Sequence, residues 1–341
     1  MGSNWRKKLM FSLAFGALVF IALTIYADLD KLLAAFAQFN WAWAPLILAC
    51  TMTNYLFRYL KWDFYTATLG VRPKTSENLI IFFTAFTMAV TPGKFGEVLK
   101  SYLLKKVNGT PIRRSGPIIV AERLTDFIGL VILLLLGAYM FDISRLAVIA
   151  FAVFFAAVTA LLAWRRGSLA LIEFFGRLPF LARFVEHAHS AYDSMHVMLR
   201  PRPLFIAIAL SVVAWFFECF GYWIILHVFE APPTVLKATF IYAFSTVVGA
   251  VSMLPGGLGT TEGSLTGLAQ LAGATKDVAV ASTFIIRTAT LWFAVLLGIV
   301  VTLLFQNRLH VNIDEIELEE GEKDLTPSPS PGRRGEEDLT P

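Results

Sequence analysis

Charge is scarce in this chain: Asp, Glu, Lys and Arg make up 16% of its 341 residues, whereas 57% are hydrophobic and 30 are phenylalanine. Soluble domains carry roughly 25% charge, so an ordinary water-exposed globule is excluded and a membrane-embedded one is expected. There are only two cysteines, Cys50 and Cys219, both inside apolar runs. That excludes a disulfide framework or a thiolate metal site and leaves them as small packing residues. Of the five histidines, His187 and His189 lie two apart, pointing different ways on a helix, with no further ligand at zinc spacing. No Walker loop, G-x-G-x-x-G, G-x-S-x-G or H-E-x-x-H occurs, and Gly-Gly-Leu-Gly at 256–259 lacks the phosphate-loop lysine. No cofactor, metal or catalytic set is expected. The basic, then apolar, N-terminal stretch lacks a small-x-small cleavage site at Ile25-Tyr26-Ala27, so an uncleaved first span is expected.

What the chain does have is length in its apolar runs. Residues 9–27, 41–60, 116–140, 145–163, 204–228 and 278–305 are each about 19 residues or longer, about 28 Å or more as helices, which predicts six full spans. The net charge of +4 is uneven, because residues 306–341 hold four Lys or Arg against ten Asp or Glu. The basic body reads as cytoplasmic loops rather than as a nucleic-acid surface. With the N-terminus inside, the basic residues of 6–8, 58–74, 100–114 and 165–202 all become cytoplasmic, in a plasma-membrane protein with both termini cytoplasmic. Residues 168–199 mix apolar and charged side chains and are expected to lie as an amphipathic cytoplasmic segment in the interface. The acidic 306–341 tail, ending rich in Pro, Ser, Gly and Thr, is expected to be disordered. Trp41, Trp43, Trp62, Trp164, Trp215 and Trp223 read as interfacial anchors.

Two segments break the pattern. Residues 79–91 form an apolar run of 13, about 20 Å as a helix, before Pro92 and Gly93. That is too short to cross, and the lysines that follow suggest a re-entrant hairpin. Residues 238–254 repeat the device before Pro255, Gly256 and Gly257; this run of 17 is compatible with re-entry or a full crossing. Arg123 follows Pro92 by 31 residues and Arg287 follows Pro255 by 32, and Glu97 and Glu262 also correspond. The chain therefore reads as an all-α polytopic membrane domain over 1–305, with six spans and two broken hairpins. Its two units, about 41–140 and 204–305, are expected to be related by inversion. Helix breaks inside hydrocarbon survive where protein or a wet cavity satisfies the backbone, which predicts an internal polar site. Gly96 and Gly259 join the turn glycines in shaping it, and helix N-termini after the turns favour a phosphate or carboxylate.

Arg123 and Arg287 need partners at depth. Glu97, Glu122, Asp126 and Glu262 are the candidates, with Glu218 a further buried acid. Arg123 and Asp126, three apart, have internal neutralisation as the plain alternative. Arg287 has no acid near it on its own helix and is expected to touch a head group. Arg58, Lys61, Arg72 and Lys74 form a cluster that either receives an anionic head group or serves only orientation.

Arg-Tyr-Leu-Lys-Trp at 58–62, Thr-Pro-Gly-Lys-Phe-Gly-Glu at 91–97, the Glu-Arg-Leu-Thr-Asp-Phe-Ile-Gly-Leu helix at 122–130, Leu-Pro-Gly-Gly-Leu-Gly-Thr-Thr-Glu-Gly at 254–263 and Arg287 together resemble the membrane domain of lysylphosphatidylglycerol synthases and its stand-alone, flippase-like relatives. The resemblance covers nearly all of 5–305. It implies a protein that moves lipids between leaflets, or serves glycolipid, hopanoid or lysyl-lipid pathways beside a synthase or glycosyltransferase partner. In two-part members aminoacyl transfer belongs to a soluble C-terminal domain, so no such activity is expected of this chain. A lipid translocator is the first expectation; a membrane enzyme of lipid glycosyl or aminoacyl transfer and a small-solute transporter are the alternatives. In the first, Arg58, Arg123 and Arg287 bind the head group while Glu97, Asp126 and Glu262 orient the arginines or bind a coupling ion.

Overall fold

The computed structural model describes residues 4–91, 95–138 and 185–309, with scattered positions from 149 to 169. Pro92 and Gly93, most of the 145–163 run, half of the amphipathic segment, and the tail from 310 lie outside the described residues. All regular structure among the described residues is helical.

Helices α1 (Asn4–Ala27) and α2 (Leu29–Gln38) precede two runs with the same order of elements. The first has a long helix α3 (Ala44–Thr68), a short helix α4 (Thr75–Thr84) extended by a 3-10 turn (Ala85–Met88), a second short helix α5 (Phe95–Asn108) and a long helix α6 (Ile112–Ala138). After α7 (Val185–Met198) the second has α8 (Pro201–Val228), α9 (Val235–Val251), a 3-10 turn (Pro255–Gly257), α10 (Thr260–Leu271) and α11 (Lys276–Arg287). A π-helical turn (Thr288–Trp292) joins α11 to α12 (Phe293–Leu309).

Two helices, Pro201–Val228 and Lys276–Phe305, are long and apolar enough to cross a bilayer, and Leu29–Gln38 with Trp41–Thr68 qualifies only as a pair bent by 65°. Of the six predicted runs, 204–228 and 278–305 thus meet this test and 41–60 falls within the bent pair, while most of 145–163 lies outside the described residues and 116–140 is richer in charge than it looked. Helix α6 has 27 residues but carries Arg113, Arg114, Glu122, Arg123 and Asp126. Helix α4, in the segment expected to be too short to cross, has ten residues, about 15 Å of rise.

The two runs interlock. Helix α3 packs along α8, and Asn54 Nδ2 donates to the Ala214 carbonyl at 2.9 Å between them. Helix α9 lies against α6, while α4 and its 3-10 extension lie against α12, so each run's short helix meets the other run's final helix. Glycine makes both approaches possible: a Cβ on Gly137 would sit 2.7 Å from the Leu236 carbonyl oxygen, and one on Gly298 would sit 2.4 Å from the Thr87 nitrogen. Both are well inside van der Waals contact with backbone, which cannot yield as a side chain can.

Cys50 and Cys219 are free and buried in the same apolar cluster, as packing residues should be. The tryptophans divide. Trp41, Trp43 and Trp164 are exposed, but Trp62 and Trp215 are buried and are not interfacial anchors. The Trp62 Nε1 donor is satisfied inside by Asn78 Oδ1 at 2.7 Å. Helix α7, the described end of the amphipathic segment, packs on α6 with Tyr192, Met195 and Met198 buried.

Candidate functional site

The Pro255–Gly257 turn works through its glycines. Gly256, Gly257 and Gly259 have φ of 59°, 68° and 85°, in the left-handed region that costs an L side chain about 1–2 kcal/mol. This sharp reversal starts α10 with Glu262 as its third residue. Glu262 Oε2 accepts from the Gly259 N–H at 2.7 Å, capping the helix, and Oε1 accepts from Arg287 Nε at 2.6 Å. Arg287 also donates from an Nη to the Gly256 carbonyl at 2.7 Å. One guanidinium thus ties α11 to both the turn and the helix behind it. The next residue begins the π-helical turn, whose Thr290 carbonyl accepts the Tyr55 hydroxyl of α3 at 2.6 Å.

The first run has the corresponding pair. Glu97 is the third residue of α5, and its Oε1 accepts from an Arg123 Nη at 2.5 Å. Asp126 Oδ2 is 3.7 Å from the same guanidinium. Glu97 from another helix, rather than Asp126 on its own, is therefore the closer partner of Arg123. Gly96 lies one residue before Glu97 in the first turn of α5.

Behind Arg123 lies a second layer of charge. Lys61 Nζ reaches Asp126 Oδ1 at 2.5 Å and Ser211 Oγ at 2.8 Å, and Lys100 pairs with Glu122 Oε2. Lys100 also sits 4.5 Å from the Trp62 ring centre. All four ionic groups are buried. Desolvation makes such pairs weak net stabilisers, but removing one partner costs about 3–5 kcal/mol because the other charge is left stranded.

These groups surround a pocket of about 200 Å³ whose wall comes from both runs. Its polar lining includes Arg58, Glu97, Arg123 and Asp126 from the first run and Glu218, Tyr242 and Arg287 from the second, with Gly256 and Gly257 at one edge. Arg58 differs from the other cations. Among the described residues no carboxylate lies within ion-pair distance of it. Its guanidinium is held 5.7 Å from the Phe86 ring centre and 5.9 Å from that of Trp215, a contact suited to a weakly hydrated planar cation.

Several sequence expectations change here. Lys61 does not join a surface cluster with Arg72 and Lys74: α3 continues to Thr68, so Lys61 is interior, 1% exposed, and absent from the pocket lining. Glu122, bound to Lys100, stands behind the pocket rather than on it. Arg287 lacks an acid near it on its own helix but has one from α10, so its charge is already compensated. Pro255, Gly259 and Glu262 shape or brace the wall without lining it. Lys100, Tyr55, Trp215 and Tyr242 line the pocket and were not foreseen. The only sequence signal for Lys100 was its place after the first turn, where it looked like a loop lysine.

The model of the lysylphosphatidylglycerol synthase TM region matches residues 9–298. Three membrane proteins of Methanothermobacter thermautotrophicus (strain Delta H), each described as a UPF0104 membrane protein, are similar along much of their length. One is 26% identical over 226 residues, covering 60% of this chain and 67% of the relative. A second is 25% identical over 286 residues, 73% and 80% of the two chains. A third is 24% identical over 309 residues, 85% and 92%. With the match running across both runs of helices and every residue of the pocket wall, the chain belongs to the family of the lysylphosphatidylglycerol synthase transmembrane region.

Proposed function

We propose that the protein moves a lipid with an anionic or lipid-linked head group between the leaflets of the plasma membrane. The head group occupies the pocket between the two runs while the acyl chains stay in the bilayer. The observation that carries this reading is a pocket walled by both runs and lined by charged groups, in which one guanidinium, Arg58, has no carboxylate of the described residues within ion-pair distance. Its volume of about 200 Å³ is below the about 300–1,000 Å³ of sites that enclose whole drug-sized ligands. It suits a head group, with the chains left outside.

Alternating access follows if 44–138 and 201–309 are inverted copies whose hairpins, α4–α5 and α9–α10, enter from opposite faces. The equal order of elements supports this, as do the reciprocal contacts α9–α6 and α4–α12 and the matched pairs Glu97–Arg123 and Glu262–Arg287. In this reading both termini are cytoplasmic. The protein carries out no covalent chemistry; a lipid-modifying synthase or glycosyltransferase supplies or consumes the cargo beside it.

The test is transbilayer movement in liposomes holding the purified protein and a tail-labelled fluorescent phosphatidylglycerol. Inner-leaflet label should become accessible to an impermeant quencher faster than in protein-free vesicles. Equal rates with and without protein would defeat the proposal.

A further inference from the structure

Glu218 is the acidic counterpart of Arg58. It lies mid-way along α8, lines the same pocket and is 5% exposed. Its Oε2 accepts the Tyr242 hydroxyl at 2.6 Å, and no Lys or Arg of the described residues is within ion-pair distance. Every other carboxylate in or behind the wall has a cation: Glu97 and Asp126 have Arg123, Glu122 has Lys100, and Glu262 has Arg287.

The neighbours of Glu218 come from four of the helices around the pocket. Tyr242 approaches from α9, Tyr55 and Arg58 from α3, Asp126 from α6 and Arg287 from α11. Of these, Arg287 and Asp126 are held by their own ion pairs, which leaves Arg58 as the uncommitted charge.

Counting the interior charges gives the consequence. Among the described residues five cations, Arg58, Lys61, Lys100, Arg123 and Arg287, stand with five carboxyl groups, Glu97, Glu122, Asp126, Glu218 and Glu262. With Glu218 ionised the interior is neutral, and a bound anion brings an uncompensated negative charge into a low-dielectric site, which is unfavourable. With Glu218 protonated the interior carries one excess positive charge, which a monoanionic head group at Arg58 cancels. The two neutral states are therefore the empty pocket with Glu218 ionised and the loaded pocket with Glu218 protonated.

We propose that Glu218 is a proton-coupling residue: one proton binds its carboxylate as one anionic head group binds Arg58, and both leave together on the other side. This rests on the translocation reading of the pocket and adds its driving force, a pH gradient used in the same direction as the cargo. The proton is taken from water on the loading side onto a Glu218 carboxylate oxygen and returned to water on the releasing side. No bond of the lipid changes.

The experiment uses the full chain in liposomes with tail-labelled phosphatidylglycerol as the anionic probe, tail-labelled phosphatidylcholine as the zwitterionic one, and a trapped pH-sensitive dye. An imposed pH gradient should speed phosphatidylglycerol movement toward the alkaline side several-fold over the opposite gradient, with one proton crossing per lipid. Phosphatidylcholine should show no such asymmetry. In Glu218→Gln, which keeps an acceptor for Tyr242, the asymmetry should vanish. Tyr242→Phe removes a hydrogen bond that favours the ionised carboxylate, so the pH midpoint of phosphatidylglycerol movement should move upward; this serves as the readout where Glu218→Gln is inactive. Wild-type movement that ignores the gradient, or a Glu218→Gln protein that responds as wild type does, overturns the coupling while leaving translocation standing. No movement of either lipid by wild type overturns both.

Discussion

Glu262 Oε1 and Arg287 Nε meet at 2.6 Å, and the other oxygen of the same carboxylate caps the helix that carries it. A single side chain thus orients the buried guanidinium and closes the glycine turn. Glu262→Ala removes both roles and strands a buried charge, with an expected loss of about 3–5 kcal/mol. Thermal unfolding in detergent measures it. The double variant Glu262→Ala with Arg287→Met should be less destabilised than the sum of the two single changes, because the stranded charge goes with its partner.

A parallel cycle tests the interior layer. Lys61→Met leaves Asp126 with the Ser211 hydroxyl at 3.1 Å and Arg123 at 3.7 Å, and Ser211 without its ammonium donor. The single change should lower stability markedly, and adding Asp126→Asn should restore part of it. Additive losses would mean that the two groups do not interact as the 2.5 Å contact implies.

Backbone proximity gives a sharper contrast. Gly298→Ala puts a methyl group 2.4 Å from the Thr87 nitrogen and 2.8 Å from the Phe86 carbonyl carbon, so α12 must move off the 3-10 turn. Overpacking of this kind costs about 1–3 kcal/mol. Gly263→Ala in α10 meets nothing within 4 Å and should be neutral or stabilising by up to about 1 kcal/mol through helix propensity. Unfolding temperatures of the two variants should therefore move in different directions or by clearly different amounts.

Arg58 is in no ion pair among the described residues, so its replacement tests recognition more than folding. Arg58→Gln should slow movement of labelled phosphatidylglycerol about ten- to a hundredfold, the equivalent of about 1.5–3 kcal/mol for hydrogen bonds to a charged group. Phosphatidylcholine movement should change less. Arg58→Lys should recover only part of the rate, since an ammonium lacks the planar contact with Phe86 and Trp215.

Much of this site could be read from spacing, and what could not has a common cause. The repeated turn phrases and their arginines point to Glu97, Arg123, Glu262 and Arg287, because each ion pair recurs about 25 residues apart within a run. Glu218–Tyr242 gives no such signal: it joins two helices, and an acid in an apolar run does not announce a hydroxyl 24 residues away. Lys61 and Lys100 mislead for the opposite reason. Lysines near the end of an apolar run resemble loop charges, but α3 extends seven residues beyond Lys61, and buried acids on α6 claim both. The apolar runs also do not show where α2 bends against the next helix.

The most direct test of the pocket as a lipid path is to fill it and measure transport. Ala250 lines the pocket. In a background with Cys50 and Cys219 replaced by alanine, Ala250→Cys provides one thiol for a bulky maleimide. Transbilayer movement of labelled phosphatidylglycerol should proceed before modification and stop after it, while the same reagent leaves the cysteine-free protein unaffected. Undiminished movement with the pocket quantitatively modified would contradict the account.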